Sequence, residues 1–238
     1  MLPVDLRVKD APLGTRGGRE YDDRVLARLR TETLSRRRGC RIVATVMKAP
    51  PLPLWRIPRA RYDRLIEAGI FGPEDRIELL DGLLVVREPQ GGRHATVVAL
   101  VRVALEKAFG RTYYVREEKP IALDERSEPE PDLVVVPGRP RDYLDAHPSR
   151  PVLIVEVADT SLALDRLRKG RLYARAAITD YWVVNLIDEV LEVYREPVRA
   201  PSGHDVWKYD SVRLLRRNAV VSPLAAPGAR IRVAALLP

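Results

Sequence analysis

Apolar residues recur at helical spacing in two segments of the chain. One segment runs from Arg59 to Gly69, and the other runs from His94 to Gly110. Each ends at a glycine, which is common just past the last turn of a helix because glycine accepts a positive φ. The pattern therefore predicts two helices that end at these glycines.

Short apolar runs predict β-strands in the rest of this region. The segment 77–86 has two such runs around Asp81-Gly82, a dipeptide typical of two-residue hairpin turns. Further strand-like runs follow the second helix. In chain order they are TYYVRE, PDLVVV, VLIVEV, DYWVVNL and VLEVYRE, and then KYDSVRLL and ARIRVAALL near the end of the chain.

A further helix is predicted at about 162–176, between VLIVEV and DYWVVNL. The order helix, three strands, helix, strand (αβββαβ) is typical of an α/β protein with a mixed sheet flanked by helices. The strands on either side of this helix are expected to be parallel. The first helix and the hairpin then precede this core, and the last strands extend the edge of its sheet.

The first part of the chain lacks this sustained pattern. It contains an arginine-rich run, Arg36 to Arg41, and then the proline-dense segment KAPPLPLWRIP, which cannot be helical throughout. We expect residues 1–50 to form a poorly ordered basic extension, apart from a short helix around Tyr21 to Thr33. Residues 51–238 are expected to form one domain, a suitable length for burying a core.

The charge balance of the chain hints at an anionic partner. Lys and Arg number 41 against 33 Asp and Glu, for a net charge of +8. Much of the excess lies before Met47, and a charge run of this kind is more often a solvated tail than a binding arm. Charge alone therefore supports a nucleic-acid partner only weakly.

The single cysteine, Cys40, excludes an internal disulfide and a four-cysteine zinc site. No apolar run is long enough to span a bilayer, and the N-terminus lacks the apolar segment of a secretory signal. We therefore expect a soluble, cytoplasmic protein with no membrane partner.

Two carboxylates stand out in the predicted strands. Glu156 interrupts the apolar run VLIVEV, and Asp132 opens PDLVVV. If the intervening loop makes the two strands antiparallel with Val136 opposite Val152, Asp132 lies opposite Glu156 on the same face. Two carboxylates so placed repel each other, and a divalent cation between them relieves that repulsion. Their oxygen ligands favour Mg²⁺ or Mn²⁺ over zinc.

Each position also has an ordinary structural explanation. Glu156 could pair with a buried arginine, and Asp132 could merely cap a strand. Beyond them, Ser161, Asp165, Lys169 and Tyr173 follow at four-residue intervals along one helical face. Such a stripe usually faces solvent, with the flanking leucines (Leu164, Leu167 and Leu172) toward the sheet. Since this helix starts just past the Glu156 strand, Lys169 could instead reach back over the carboxylates.

These segments together resemble a known family. SEPEPDLVVV and VLIVEVADTSLALDRLRKGRLYARAAITDYWVVN, with RIELLDGLLVV and RHATVVALVRVAL upstream, are similar to the Uma-two family of restriction-endonuclease-like proteins, which is common in bacteria. The resemblance covers roughly Arg59 to Arg195. It implies the PD-(D/E)XK nuclease fold and metal-dependent hydrolysis of phosphodiesters in double-stranded DNA.

The resemblance also implies roles for individual residues. Asp132, Glu156 and Glu78 would be the acidic ligands of Mg²⁺ or Mn²⁺, with help from the Val157 carbonyl. The general PD-(D/E)XK pattern has a lysine two residues after the second acid. Ala158 stands there in this chain, and Lys169 matches the lysine that the family carries in the next helix. His94, Asp165, Tyr173 and Ser161 would support the site.

Three functions are compatible with these residues. The first is an active DNA endonuclease, for which a homodimer is expected because two strands need two sites. The second is a catalytically weak or inactive nucleic-acid-binding protein with the same fold, which the displaced lysine keeps open. The third, a metal phosphoesterase acting on small substrates, fits the family less well.

Overall fold

The structure is a computed structural model, and it describes residues 53–72, 74–87, 89–201 and 206–238. The predicted N-terminal extension and its short helix lie outside these residues. In the described residues, none of the helices combines the length and the apolar character needed to cross a membrane.

A short helix and a hairpin precede the main sheet, as the sequence predicts. Helix α1 spans Arg59–Glu67, and the chain leaves it through Gly69 at φ +68°. Strands β1 (Ile77–Leu80) and β2 (Leu83–Val86) form a separate two-stranded antiparallel sheet. Both turn residues between them have positive φ, which matches the two-residue turn that Asp-Gly favours.

The main sheet has six strands in the order β3-β4-β5-β6-β7-β8. Every neighbouring pair is antiparallel except β5 and β6, which are parallel. This mixed α/β arrangement is the predicted fold class. The strand bounds are β3 Tyr113–Glu117, β4 Leu133–Pro137, β5 Leu153–Ala158, β6 Asp180–Asn185, β7 Val190–Arg199 and β8 Trp207–Leu215.

Helices cover both faces of this sheet. Helix α2 (Gly92–Phe109) buries Val97, Val101 and Leu105 against one face, together with the C-terminal segment. That segment holds two short paired strands, β9 (Val220–Val221) and β10 (Ile231–Arg232). The other face is covered by the helix between β5 and β6, which buries Tyr173 and Ala174. The central strands are therefore fully enclosed, which accounts for their continuous apolar runs.

The helix between β5 and β6, α3, is irregular. It comprises Leu162–Leu164 and Gly170–Arg175 in α conformation, separated by the π-helical turn Asp165–Lys169. The predicted inward orientation of Leu167 is wrong, because its side chain is 59% exposed. A wider turn advances less per residue than the α-helix on which that prediction relied, so it changes which side chains face inward.

Candidate active site

The register of β4 and β5 places the two predicted acids opposite each other. Leu133 pairs with Val155 and Val135 with Leu153, so the next position along each strand brings Asp132 opposite Glu156. Directly opposed residues share a face of the sheet. Here it is the face covered by α3, because Val134 and Ile154, two residues away, pack in the cluster that contains Tyr173.

Asp132 is almost fully buried and is held by three neighbours. The backbone N–H of Val157 donates to its Oδ2 over 2.7 Å, and His94 Nε2 lies 3.2 Å from the same oxygen. Gln90 donates to Oδ1 over 3.2 Å. Burial alone would lower the pKa of His94, but the hydrogen bond to Asp132 and its negative charge raise that pKa above its usual value.

Glu156 lies 2% exposed in the central strand β5 and is fixed by α3. The Tyr173 hydroxyl donates to its Oε1 over 2.7 Å, and Lys169 Nζ lies 3.1 Å from the same oxygen. The backbone N–H of Asp132 donates to Oε2 over 3.3 Å. In this structure the partner of Glu156 is therefore a lysine with a tyrosine, and not the buried arginine considered above.

Lys169 joins the hairpin to the main sheet. Its ammonium lies 3.1 Å from Oε1 of Glu156 and 3.4 Å from Oε1 of Glu78 on β1. The other oxygen of Glu78 accepts the backbone N–H of Glu130. The side chains of Lys169 and Glu78 are buried, so the polar stripe of α3 faces the carboxylates and not solvent.

The remaining predicted residues of α3 lie beside this group. Asp165 is 2% exposed, and the Ser161 hydroxyl donates to its Oδ2 over 2.6 Å. Ser161, Asp165 and Lys169 line one cleft of about 430 Å³ together with Glu78, Asp132, Glu156 and His94. The structure thus brings seven of the eight predicted site residues to one cleft, and the eighth, Tyr173, contacts Glu156 from behind.

Negative charge is in excess in this cleft. The pKa of Glu156 is raised to about 8, chiefly by burial and also by the nearby Asp165, Asp132 and Glu78, against the opposing effect of Lys169. Burial also raises the pKa of Asp165 to about 6. Burial alone would lower the pKa of Lys169, but Glu156, Glu78 and Asp165 raise it above its usual value, so the lysine stays charged.

The donors present fit a small hard cation. The opposed carboxylates of Asp132 and Glu156 supply oxygen ligands next to the Val157 backbone, and the surrounding charge is negative. Nδ1 of His94 is buried without a hydrogen-bond partner among the described residues, so a water or an ion could serve as its partner. In the same part of the chain, no three His, Cys, Asp or Glu side chains are grouped as ligands of one ion. The role of Glu78 as a third ligand stays a prediction.

Sequence reasoning missed two residues of this cleft, Arg87 and Gln90. Arg87 Nη1 lies 2.7 Å from Oε2 of Glu130, and its Nη2 lies 3.9 Å from Oδ1 of Asp132. Both residues lie in the connection between β2 and α2, which has no periodic pattern. The available sequence signal for these two residues was their position alone. Their connection joins the strand next to Glu78 to the helix that carries His94.

The comparisons with known proteins agree with this fold. A solved structure from Anabaena variabilis ATCC 29413, titled as a putative nuclease belonging to DUF820, matches with a TM-score of 0.56 at 15% identity. The match covers 72% of this chain and 96% of the other. A search of the curated proteins finds no match. The model of the Uma2 (Uma-two) family, described as "Putative restriction endonuclease", matches residues 59–234, and the chain therefore belongs to the Uma2 family.

Proposed function

We propose that this protein is a metal-dependent endonuclease of the PD-(D/E)XK type that hydrolyses phosphodiesters of double-stranded DNA. The observation that carries this proposal is the opposition of Asp132 and Glu156, with the Lys169 ammonium 3.1 Å from Glu156 in one cleft. Membership of a family described as "Putative restriction endonuclease" supports the nuclease function. The PD-(D/E)XK type rests on the match of Pro131-Asp132 and Glu156 to that pattern, with Lys169 at the place of the lysine that the family carries in the next helix.

Asp132 and Glu156 would hold Mg²⁺ or Mn²⁺, with the Val157 carbonyl as a further oxygen donor. When bound, the cation lowers the pKa of a water and neutralises charge on the scissile phosphate. Lys169 would stabilise the negative charge that develops on the phosphate, an interaction strengthened by its burial. His94 and Tyr173 contact Asp132 and Glu156, and so would fix the orientation of the two carboxylates.

A neighbouring cleft supports a polymeric substrate. It encloses about 680 Å³ and shares Arg87 and Gln90 with the first cleft. Its lining includes Arg76, Lys119 and Phe71, which suit the phosphates and bases of a nucleic acid, together with the acidic Glu118 and Glu130. A strand whose scissile phosphate lies at Lys169 could continue into this cleft. The homodimer expected for cutting both strands stays a prediction.

One observation favours the alternative of a catalytically weak binding protein. All four carboxylate oxygens of Asp132 and Glu156 already accept hydrogen bonds from protein groups. A cation would have to share these oxygens or displace a donor. The alternative protein would bind nucleic acid in the two clefts without cutting it.

The deciding experiment compares plasmid cleavage in Mg²⁺ and in Mn²⁺ by wild type, Asp132→Asn and Glu156→Gln. Both substitutions keep the side-chain shape and remove the ionisable carboxyl group. Asp210→Asn, at an exposed position on β8, is the matched control. Cleavage by wild type and by the control only would support the endonuclease. Identical cleavage by all four proteins would indicate a contaminant, and binding without cleavage would favour the alternative.

A further inference from the structure

We propose that Glu192 is a positioning residue that acts through Arg166 to set the position of Lys169. The kinetic consequence of this proposal rests on the proposed function. Its structural part concerns the π-helical turn Asp165–Lys169, which carries both Arg166 and Lys169. Lys169 contacts Glu156 on β5, whereas Arg166 contacts Glu192 on β7.

Glu156 and Glu192 lie in one row across the sheet. Glu156 on β5 pairs with Val183 on β6, and Val183 pairs with Glu192 on β7. Paired neighbours share a face, so both carboxylates are on the side covered by α3, two strands and about 10 Å apart. The helix is therefore attached to this row at two points, Lys169 on Glu156 and Arg166 on Glu192.

The carboxylate of Glu192 is buried and positioned to bind the guanidinium group of Arg166. It is 1% exposed, and Arg166 donates to both of its oxygens, from Nε over 3.0 Å and from Nη2 over 2.5 Å. Asn185 donates to Oε1 over 2.8 Å and the Tyr194 hydroxyl to Oε2 over 2.6 Å. These donors hold the pKa of Glu192 below its usual value despite its burial. Two-pronged pairing fixes direction as well as distance.

The rest of the turn is held to the same sheet. The Tyr181 hydroxyl of β6 donates to the backbone carbonyl of Asp165 over 3.1 Å. A Cβ at Gly170 would lie only 3.3 Å from that carbonyl oxygen, so the turn packs closely against Gly170, the residue that follows it. With its backbone anchored on β6 and Arg166 on β7, the turn presents Lys169 at one place above Glu156. Loss of the Arg166 contact releases one of these anchors three residues from Lys169.

The first test does not depend on activity. The chain has six lysines, so the NMR signals of ¹³Cε-labelled lysine side chains can be assigned, with Lys169→Met identifying that of Lys169. Arg166→Gln is expected to shift the Lys169 signal, and Arg168→Gln, at an exposed arginine of the same turn, to leave it in place. An unchanged Lys169 signal in Arg166→Gln overturns the proposal, whether or not the protein cuts DNA.

The second test reads the kinetic consequence. Arg166→Gln is expected to lower kcat roughly tenfold to a hundredfold with KM nearly unchanged, as for a catalytic group displaced by about 1 Å. In a Lys169→Met background the same substitution should cause no further loss of kcat. A purely structural role would lower the activity in both backgrounds, and that result overturns the proposal. Glu192→Gln serves as the second variant, and Arg168→Gln is again the control.

Discussion

Asp132 and Glu156 are each hydrogen-bonded to the strand of the other. The backbone N–H of Asp132 donates to Glu156, and the N–H of Val157, the residue after Glu156, donates to Asp132. The carboxylates are thus held by the backbone of the sheet itself. With the geometry fixed in this way, little order would have to be gained on binding a cation, although the ion would still have to share these oxygens or displace a donor.

Replacing Lys169 by methionine should destabilise the protein in the absence of divalent cations. The substitution leaves Glu156 and Glu78 buried without the lysine ammonium that both contact. Breaking a buried ion pair in this way costs about 3–5 kcal/mol. If the cleft binds a cation, Mn²⁺ should raise the melting temperature of Lys169→Met more than that of wild type. Thermal denaturation with and without Mn²⁺ measures both effects.

Lys107→Met is the control for that experiment, because Lys107 lies exposed on α2. It should melt like wild type under both conditions. Equal effects of Mn²⁺ on Lys169→Met and wild type would argue against a cation beside Glu156.

Replacing Lys119 by glutamate should weaken DNA binding. Lys119 lines the second cleft, and loss of one phosphate contact should reduce the slope of log affinity against log salt concentration by about 1. Fluorescence anisotropy with a labelled duplex in Ca²⁺ gives the affinity without requiring cleavage. Lys107→Glu makes the same charge change outside either cleft. Equal losses in both variants would mean that only net charge matters.

Stability should fall as the pH rises through the titration of Glu128. Burial raises the pKa of this carboxyl from 4.5 to about 7, partly opposed by Arg59. A carboxyl with a raised folded-state pKa favours folding when protonated. Its contribution is therefore lost between about pH 4.5 and pH 7, and is constant above. Urea unfolding of wild type and Glu128→Gln across this range should show the variant gaining relative stability with pH. A difference that does not change with pH would contradict the assignment.

Gly82→Ala should destabilise the hairpin and displace Glu78. Gly82 has φ +77°, and an added Cβ would lie 2.8 Å from Cβ of Arg56 and 2.9 Å from the carbonyl oxygen of Ile57. Strain of this kind costs on the order of 1–3 kcal/mol. Gly91→Ala is the control, since a Cβ there meets no atom within 4 Å. Equal midpoints of chemical unfolding for the two variants would contradict the claim that the added Cβ at Gly82 causes strain.

The sequence predicted the opposition of Asp132 and Glu156 only on an assumption. Apolar runs define both strands, but their antiparallel pairing with Val136 opposite Val152 had to be assumed. It also indicated that Lys169 could reach the carboxylates. Both predictions use local pattern, and the pairing of β4 with β5 confirms the first.

The outward direction of Leu167 and the contact of Arg166 with Glu192 were not predictable in the same way. The first depends on a π-helical turn, which a period of 3.6 residues does not reveal. The second depends on the order of three strands, because Glu192 shares a row with Glu156 only through Val183. Arg87 and Gln90 lie in an irregular connection, whose path is set by the elements at its ends.

The π-helical turn of α3 also affects how this chain should be compared with its relatives. A π turn amounts to one extra residue in an otherwise regular helix. An alignment with a relative whose helix is regular throughout therefore needs a one-residue gap between Asp165 and Lys169. Without that gap, Lys169 would be aligned with the wrong residue of the relative. A lysine that both proteins share would then be read as a difference between them.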